Sequence, residues 1–399
     1  MKQHYFDYNA TGPMAEEVIE AMTPFFRDHF ANASSLHQSA REPRKALREA
    51  RRSVANLLGT ADENAVFFTS GGTESNNTAI LSAIRTSKRR KIITSPIEHS
   101  SVLRLMQRLA KEGYEIQMLP VDAAGRLDLA QLKARLSDEV ALVSLMSANN
   151  ETGILFPVLE AAELIHERGI LFHVDAVQSA GKQPLVLKDS QIDFLSLSAH
   201  KFYGPKGIGA LYVRPGVSFE SLIAGGSQER GRRAGTENVA GIAGLGMAAE
   251  LALKNLEDEI ARLTALRNEL ETRLTSAHQG VQIVGAQSPR LPNTSLILFS
   301  GIDAEALLYA LDAEGIAASS GSACMSGARE PSHVLTAMGF APGAALSAVR
   351  FSLGAGSSSE EVAALCTALE KILPRLRACL PTKAGLPAEA GGPDIAKST

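Results

Sequence analysis

Short runs of apolar, β-favouring residues alternate along the chain with longer stretches whose apolar positions recur every three to four residues. That alternation predicts a mainly parallel sheet covered by helices, an α/β fold. The runs at 65–69, 91–94, 140–146, 170–174, 193–197 and 208–213 read as strands, with helices between them at 101–112 and 158–168. Over 251–274 the positions Leu256, Ile260, Leu263, Leu270 and Leu274 predict one long amphipathic helix suited to bridging two domains. Beyond it the texture changes. Strands at 281–284, 294–299 and 349–353 and helices at 304–314 and 358–377 predict a smaller α+β domain. The expected division is a large domain over 15–257 and a smaller one made of 1–14 with 258–379. The aperiodic Pro-, Gly-, Ala- and Lys-containing segment 380–399 reads as a disordered tail.

Composition narrows the class without naming a function. The chain has 399 residues, is 45% hydrophobic and 21% charged, and carries a net charge of −3, so nothing draws it generally to nucleic acid or an anionic membrane. The basic residues of 41–52 interleave with Leu47, Val54, Leu57 and Leu58 at helical spacing and read as a solvated helix face. Lys88-Arg89-Arg90-Lys91 reads as a turn. Three scattered cysteines, Cys324, Cys366 and Cys379, are too few for a disulfide framework or a zinc site, so no metal is expected. The first residues lack an apolar signal region and no run reaches the ~18 apolar residues of a membrane span, which makes the cytoplasm the default.

The chemistry gathers at strand ends, where open α/β sheets bind ligands. Ser70-Gly71-Gly72-Thr73 follows the first strand and opens a helix, an arrangement of free N–H groups and close backbone approach suited to phosphate. Later ends carry Glu98-His99, then Asn149-Asn150, then Asp175 with Gln178 one turn on, then Ser198, His200 and Lys201. Each has a plainer reading alone: His99 as a capping partner, Asn150 as a turn former, Asp175 as an N-cap, His200 as a structural hydrogen-bonder and Lys201 as a surface lysine. Together they match one cofactor. Gly72, Thr73, Ser198 and His200 form a phosphate cradle. Asp175 is a carboxylate for a pyridinium nitrogen, Lys201 an amine for a Schiff base, and Asn150 and Gln178 are partners for a phenolic oxygen. His99 can stack on the ring. That set is the requirement of pyridoxal 5'-phosphate.

The same residues lie in longer motifs, among them Tyr5-Phe6-Asp7-Tyr8-Asn9-Ala10-Thr11, Asn32-Ala33-Ser34-Ser35-Leu36-His37 and the segments 69–75, 148–153, 173–178, 198–207, 230–238 and 317–323. Through them the chain, from about Tyr5 to Arg377, resembles the fold-type-I, class-V-aminotransferase-like enzymes of the cysteine desulfurase family, nitrogen-fixation type. The resemblance implies a pyridoxal-phosphate enzyme converting L-cysteine to alanine. It gives Cys324, in a loop of Ser, Gly and Ala, the role of nucleophile that carries the sulfur as a persulfide, and Lys201 the α-proton, with His99 handling protons at the departing sulfur.

Arg350 interrupts an apolar run and needs an anionic partner, either an internal Asp or Glu or a substrate carboxylate. The resemblance implies the latter, with Asn32 assisting. It also implies that the loop Arg230-Gly231-Arg232-Arg233 reaches the neighbouring subunit, where Thr236 touches the partner's phosphate, so a homodimer is expected. The acceptor of the sulfur is expected to be an iron–sulfur scaffold protein. Two positions depart from the family pattern: Ala199 replaces a common glycine before His200, and Met325 replaces a small polar residue after the cysteine. Neither removes a catalytic group. The alternatives are a selenocysteine lyase or an aminotransferase on the same fold, or a non-catalytic sulfur-carrier platform.

Overall fold

The computed structural model describes residues 3–320 and 330–378. Cys324, Met325, Cys379 and the segment 380–399 lie outside the described residues. The strands in chain order are β1 His4–Tyr5, β2 Val66–Thr69, β3 Lys91–Thr94, β4 Glu115–Met118, β5 Val140–Met146, β6 Leu171–Asp175, β7 Phe194–Ser198, β8 Gly209–Val213, β9 Val281–Ile283, β10 Thr294–Phe299, β11 Ile316–Ala317 and β12 Ala348–Ser352.

Seven of them form one sheet in the order β2-β8-β7-β6-β5-β3-β4. β4, β3, β5, β6 and β7 are mutually parallel, while β8 is antiparallel to both β7 and β2. The two reversals cancel, so β2 ends on the same edge as β3, β5, β6 and β7. That edge carries the sequence-predicted site residues. β2, β5, β7 and β8 are buried at every residue, as expected where helices cover both faces and the strands read as continuous apolar runs. The edge strand β4 is half exposed and mixes Glu115 and Gln117 with Ile116 and Met118, so it carries no apolar run to announce it.

A second sheet, β12-β10-β9, is antiparallel, and β1 pairs in parallel with β11. Leu263, Leu266, Leu270 and Leu274 of the helix Leu256–Ala277 pack on this sheet together with Leu365, Leu369 and Leu373 of the closing helix Ser359–Ala378. Each such leucine contributes about 2 kcal/mol of transfer free energy when fully buried. Cys366 is buried there as a small hydrophobe.

Two expectations are corrected. The single helix expected over 251–274 is two, Val239–Lys254 and Leu256–Ala277, bent by 71° at a break at Asn255. The first must lie flat on the helix Arg41–Leu57, where a Cβ on Gly246 would come 2.5 Å from Ala50 Cα. The second must turn its leucine stripe to the small sheet, and one straight axis cannot do both. The basic helix 41–57 is likewise not wholly solvated. Arg51 is 9% exposed and forms a two-pronged ion pair with Glu229, at 2.7 and 2.8 Å. Among the described residues no single helix is long and apolar enough to cross a membrane, and only the bent pair reaches that length and hydropathy together.

Candidate active site

At the end of β2 the chain turns through Gly71, whose φ of +149° favours glycine, into the helix Gly72–Thr86. Gly209, opening β8, faces both Thr69 and Ser198. A Cβ on Gly209 would lie 2.7 Å from Gly71 Cα and 2.6 Å from Leu197 O, so its bare backbone lets the β2 and β7 ends close on each other. A cavity of about 410 Å³ opens there, lined by Gly71, Gly72, Thr73, Ser198 and His200 with Lys206. The free N–H groups of the helix N-terminus point toward anions. Glu74 at the rim is paired with Arg233 at 3.1 Å. Burial opposes its charge, but hydrogen bonds from Arg233 and Ser70 hold its carboxyl below the usual range. Burial, aided by Lys201, Lys206 and Lys182, pushes His200 down to about 4, so its ring is neutral, with Nδ1 3.3 Å from Thr11 Oγ1.

Lys201 lies in the tight turn Ala199–Phe202, which ends at Tyr203 with φ 65°. Ala199 is accommodated because Gly204 has no side chain; a Cβ there would sit 2.7 Å from the Ala199 Cβ. The Lys201 Nζ donates to the carbonyls of Asn9 at 2.6 Å and Ala10 at 2.8 Å. Burial and then Arg350 lower its pKa to about 8, against the pull of Asp7 and Asp175. A fraction of it is therefore free amine near neutral pH.

Asp175 ends β6. Its Oδ2 accepts from Asn76 Nδ2 at 2.7 Å, and its Oδ1 from Val177 N at 3.0 Å, so both the helix after β2 and its own loop hold the carboxylate in place. His99 caps the helix Ser100–Lys111, its Nδ1 accepting from Ser101 N at 3.1 Å. That leaves the proton of the neutral ring on Nε2. Burial lowers its pKa, Asp175 opposes this, and Lys201 and His333 reinforce it. Gln178 is buried, donating to Asn9 O at 3.0 Å and accepting from Lys182 Nζ at 3.3 Å. The Asn150 carbonyl accepts from Arg350 Nη1 at 2.9 Å and from Asn9 Nδ2 at 3.2 Å.

The structure thus brings Gly72, Thr73, Ser198 and His200 around one cavity, with Asp175, His99, Gln178, Asn150 and Lys201 on the same edge of the sheet; Arg350, on β12 of the second sheet, reaches across to the Asn150 carbonyl. It does not bring Asn32 to Arg350. Asn32 is exposed and its Oδ1 accepts from Ser34 N. Thr236 is exposed as well and does not line its own chain's cavity. The nucleophile expected at Cys324 lies outside the described residues.

Several participants escape a reading of single strand ends. Asp7 pairs with Arg350 Nη2 at 2.7 Å, supplying the internal carboxylate that the sequence left as one option. Lys182 is a second amine, lowered to about 7 by burial, then by Lys201 and Arg350. His333 Nε2 donates to the Glu98 carbonyl at 3.1 Å. Glu98 itself is wholly buried, and burial, together with Asp175, raises its carboxyl well above the usual range despite a hydrogen bond from Met146 N. Asp7 and Asn9 stood inside a quoted motif, but nothing local marks them as facing residues hundreds of positions away. Among the described residues no group of three His, Cys, Asp or Glu side chains could hold a metal ion.

The donor set fits pyridoxal phosphate: a glycine-walled anion cavity, an amine depressed toward neutrality and a fixed carboxylate on one sheet edge. Comparison with known proteins agrees. The class-V aminotransferase family model matches residues 4–365. A cysteine desulfurase of Cereibacter sphaeroides is 49% identical over 96% of this chain and 98% of its own, and cysteine desulfurase NifS of Azotobacter vinelandii is 49% identical over 96% of each. A solved NifS-like protein superposes with a TM-score of 0.87 at 37% identity, covering 94% of this chain and 100% of its own. Class-V aminotransferases of this kind depend on pyridoxal phosphate. With its fold and its sequence in agreement over most of its length, this chain belongs to the class-V aminotransferase family, on the branch of the cysteine desulfurases.

Proposed function

We propose that the chain is a pyridoxal-phosphate-dependent cysteine desulfurase that takes sulfur from L-cysteine, releases L-alanine and passes the sulfur on from Cys324. The observation that carries this is the depressed amine of Lys201, which feels the charge of Asp175, next to the glycine-walled cavity at the helix N-terminus, in a chain matched over 96% of its length by a cysteine desulfurase.

Thr73, Ser198, His200 and the helix N-terminus would hold the cofactor's phosphate, Asp175 its protonated ring nitrogen, Asn150 and Gln178 its phenolic oxygen, and His99 one face of its ring. When bound, the cofactor supplies an electron sink for bonds at the substrate α-carbon. Lys201, the residue that anchors it, moves the α-proton; an amine titrating near 8 can both take and return one. Arg350 orients the substrate through its carboxylate. Its Nε is buried and has no hydrogen-bond partner among the described residues, beside two nitrogens already engaged. Asn32, which does not meet Arg350 within its own chain, would assist from the neighbouring one. The Cys324 thiolate attacks the substrate sulfur; an S–S bond forms as the Cβ–S bond breaks, leaving a persulfide on Cys324.

The chain further reads as a homodimer with composite sites. Phe26, Phe30 and Leu36 are 66%, 80% and 97% exposed on the described surface, apolar area that a second copy would cover, and Thr236 stands free to reach that copy's phosphate. The division into a cofactor module over 15–257 and a smaller module of 1–14 with 258–379 is supported by the break at Asn255. The acceptor would be an iron–sulfur scaffold protein and the compartment the cytoplasm.

Purified protein should be yellow and should convert L-cysteine to equal amounts of alanine and, with a reductant, sulfide. Lys201→Ala should lose the Schiff-base absorption. Cys324→Ala should keep the colour and bind cysteine yet release no sulfide. A colourless wild type saturated with cofactor, or normal turnover by Cys324→Ala, would sink the assignment.

A further inference from the structure

Asn9 is 1% exposed, and every polar group it owns is engaged. Its N–H donates to Ser352 Oγ at 2.9 Å. Its Nδ2 donates to Thr294 Oγ1 at 2.8 Å and to the Asn150 carbonyl at 3.2 Å, and its Oδ1 accepts from Asn293 Nδ2 at 3.0 Å. Its carbonyl accepts from both Lys201 Nζ and Gln178 Nε2. One side chain therefore links β10 and the residue before it to the loop after β5, while the carbonyl of the same residue meets the lysine after β7. The backbone here is a turn, with Ala10 N bonded to Asp7 O at 3.0 Å. Neither sheet fixes Asn9 through its own ladder. The side-chain amide does that instead.

We infer that Asn9 is a positioning residue for Lys201: its side chain fixes the turn whose Asn9 and Ala10 carbonyls dock the lysine amine whenever that amine is not bonded to the cofactor. The inference rests on the proposed function, in which Lys201 is the cofactor-bonding lysine. Substrate must displace that lysine, and a displaced amine on a flexible four-carbon stem needs a defined place from which to exchange a proton. Two carbonyl acceptors supply the place. They also favour the ammonium over the amine, against the burial that opposes it. The charged and titratable groups around Nζ are Arg350, Lys182, Asp7, Asp175, His99 and His200. Among the described residues none of them hydrogen-bonds Nζ, so they set the field while the carbonyls set the position.

The test uses full-length protein stripped of cofactor and the same protein reloaded. Asn9→Ala removes the fixing amide. Thr294→Val removes one of its acceptors without touching the turn, and decides the matter should Asn9→Ala fail to fold. The first readout is the rate at which pyridoxal phosphate recombines to give Schiff-base absorption, followed against pH. Wild type should speed up as the amine deprotonates. Asn9→Ala should shift that midpoint down by about one pH unit, and kcat for L-cysteine should fall by about 100-fold with KM little changed. Thr294→Val should move both in the same direction by less. If both folded variants keep the wild-type midpoint and kcat while only their thermal midpoints fall, Asn9 merely ties the sheets together and the inference is overturned. A wild type that never forms Schiff-base absorption overturns the functional assignment and this inference with it, an outcome distinct from unchanged variants.

Discussion

Replacing Arg350 by alanine tests the substrate end of the site. Arg350 is 5% exposed, with Nη2 on Asp7 and Nη1 on the Asn150 carbonyl, and its Nε is a buried donor without a partner among the described residues. A substrate carboxylate that pairs with the guanidinium gains hydrogen bonds between charged groups, each worth about 1.5–3 kcal/mol net. Truncating one partner of such a desolvated pair costs about 2–5 kcal/mol. Asp7 already shares the guanidinium, so the lower half of that range applies, and at 1.4 kcal/mol per tenfold the expected loss is about 10²-fold. The assay is binding, followed as the change in cofactor absorption in a Cys324→Ala background so that turnover does not blur it. L-cysteine should weaken by that factor. Cysteamine, which has the amine and thiol but no carboxylate, should weaken by less than about threefold. Equal losses for the two ligands would refute the reasoning and leave Arg350 as a structural partner of Asp7.

Two further predictions concern stability. His173 is fully buried between Ser144 Oγ at 2.8 Å and Ser196 Oγ at 2.9 Å, and burial takes its pKa from 6.5 to about 3. Below pH 6.5 the unfolded chain binds a proton that the folded chain refuses, so stability should fall by up to about 1.4 kcal/mol per pH unit from this residue down to pH 3. Urea unfolding at stepped pH should show a shallower acid slope for His173→Gln, and an unchanged slope would contradict the assignment. Glu229 accepts from both Arg51 nitrogens and from Phe68 N at 3.1 Å. Glu229→Ala should cost about 3–5 kcal/mol by orphaning a buried charge, and adding Arg51→Met should recover part of it; if the double variant is no more stable than the single, the charge is not what was lost.

The strands of the large sheet were legible because burial on both faces writes them as apolar runs, as in β5, which the pattern located to the residue. The edge strand β4 was not, because an edge half open to water tolerates glutamate and glutamine in a strand. The leucine stripe from Leu256 was legible as periodicity, but a bend is a property of two packing surfaces and not of either helix's own period, so Asn255 gave no warning. Arg51 misled for the opposite reason: it sits among arginines that do face water, and only the fold sets Glu229 beside it.

The candidate site divides along the same line. Lys201, Asp175, His99 and Gly72 were readable because each stands at the end of a recognisable strand, where topology alone guarantees convergence. Asp7 and Asn9 belong to no such strand end. Their partners lie 343 residues away at Arg350 and 192 away at Lys201, joined only because β1 pairs with β11 and the turn after it is pressed between the two sheets. Sequence order thus revealed the strand-end groups proposed to meet the cofactor. It hid the groups that hold them, because holding is done by whatever residue the finished fold carries past the site.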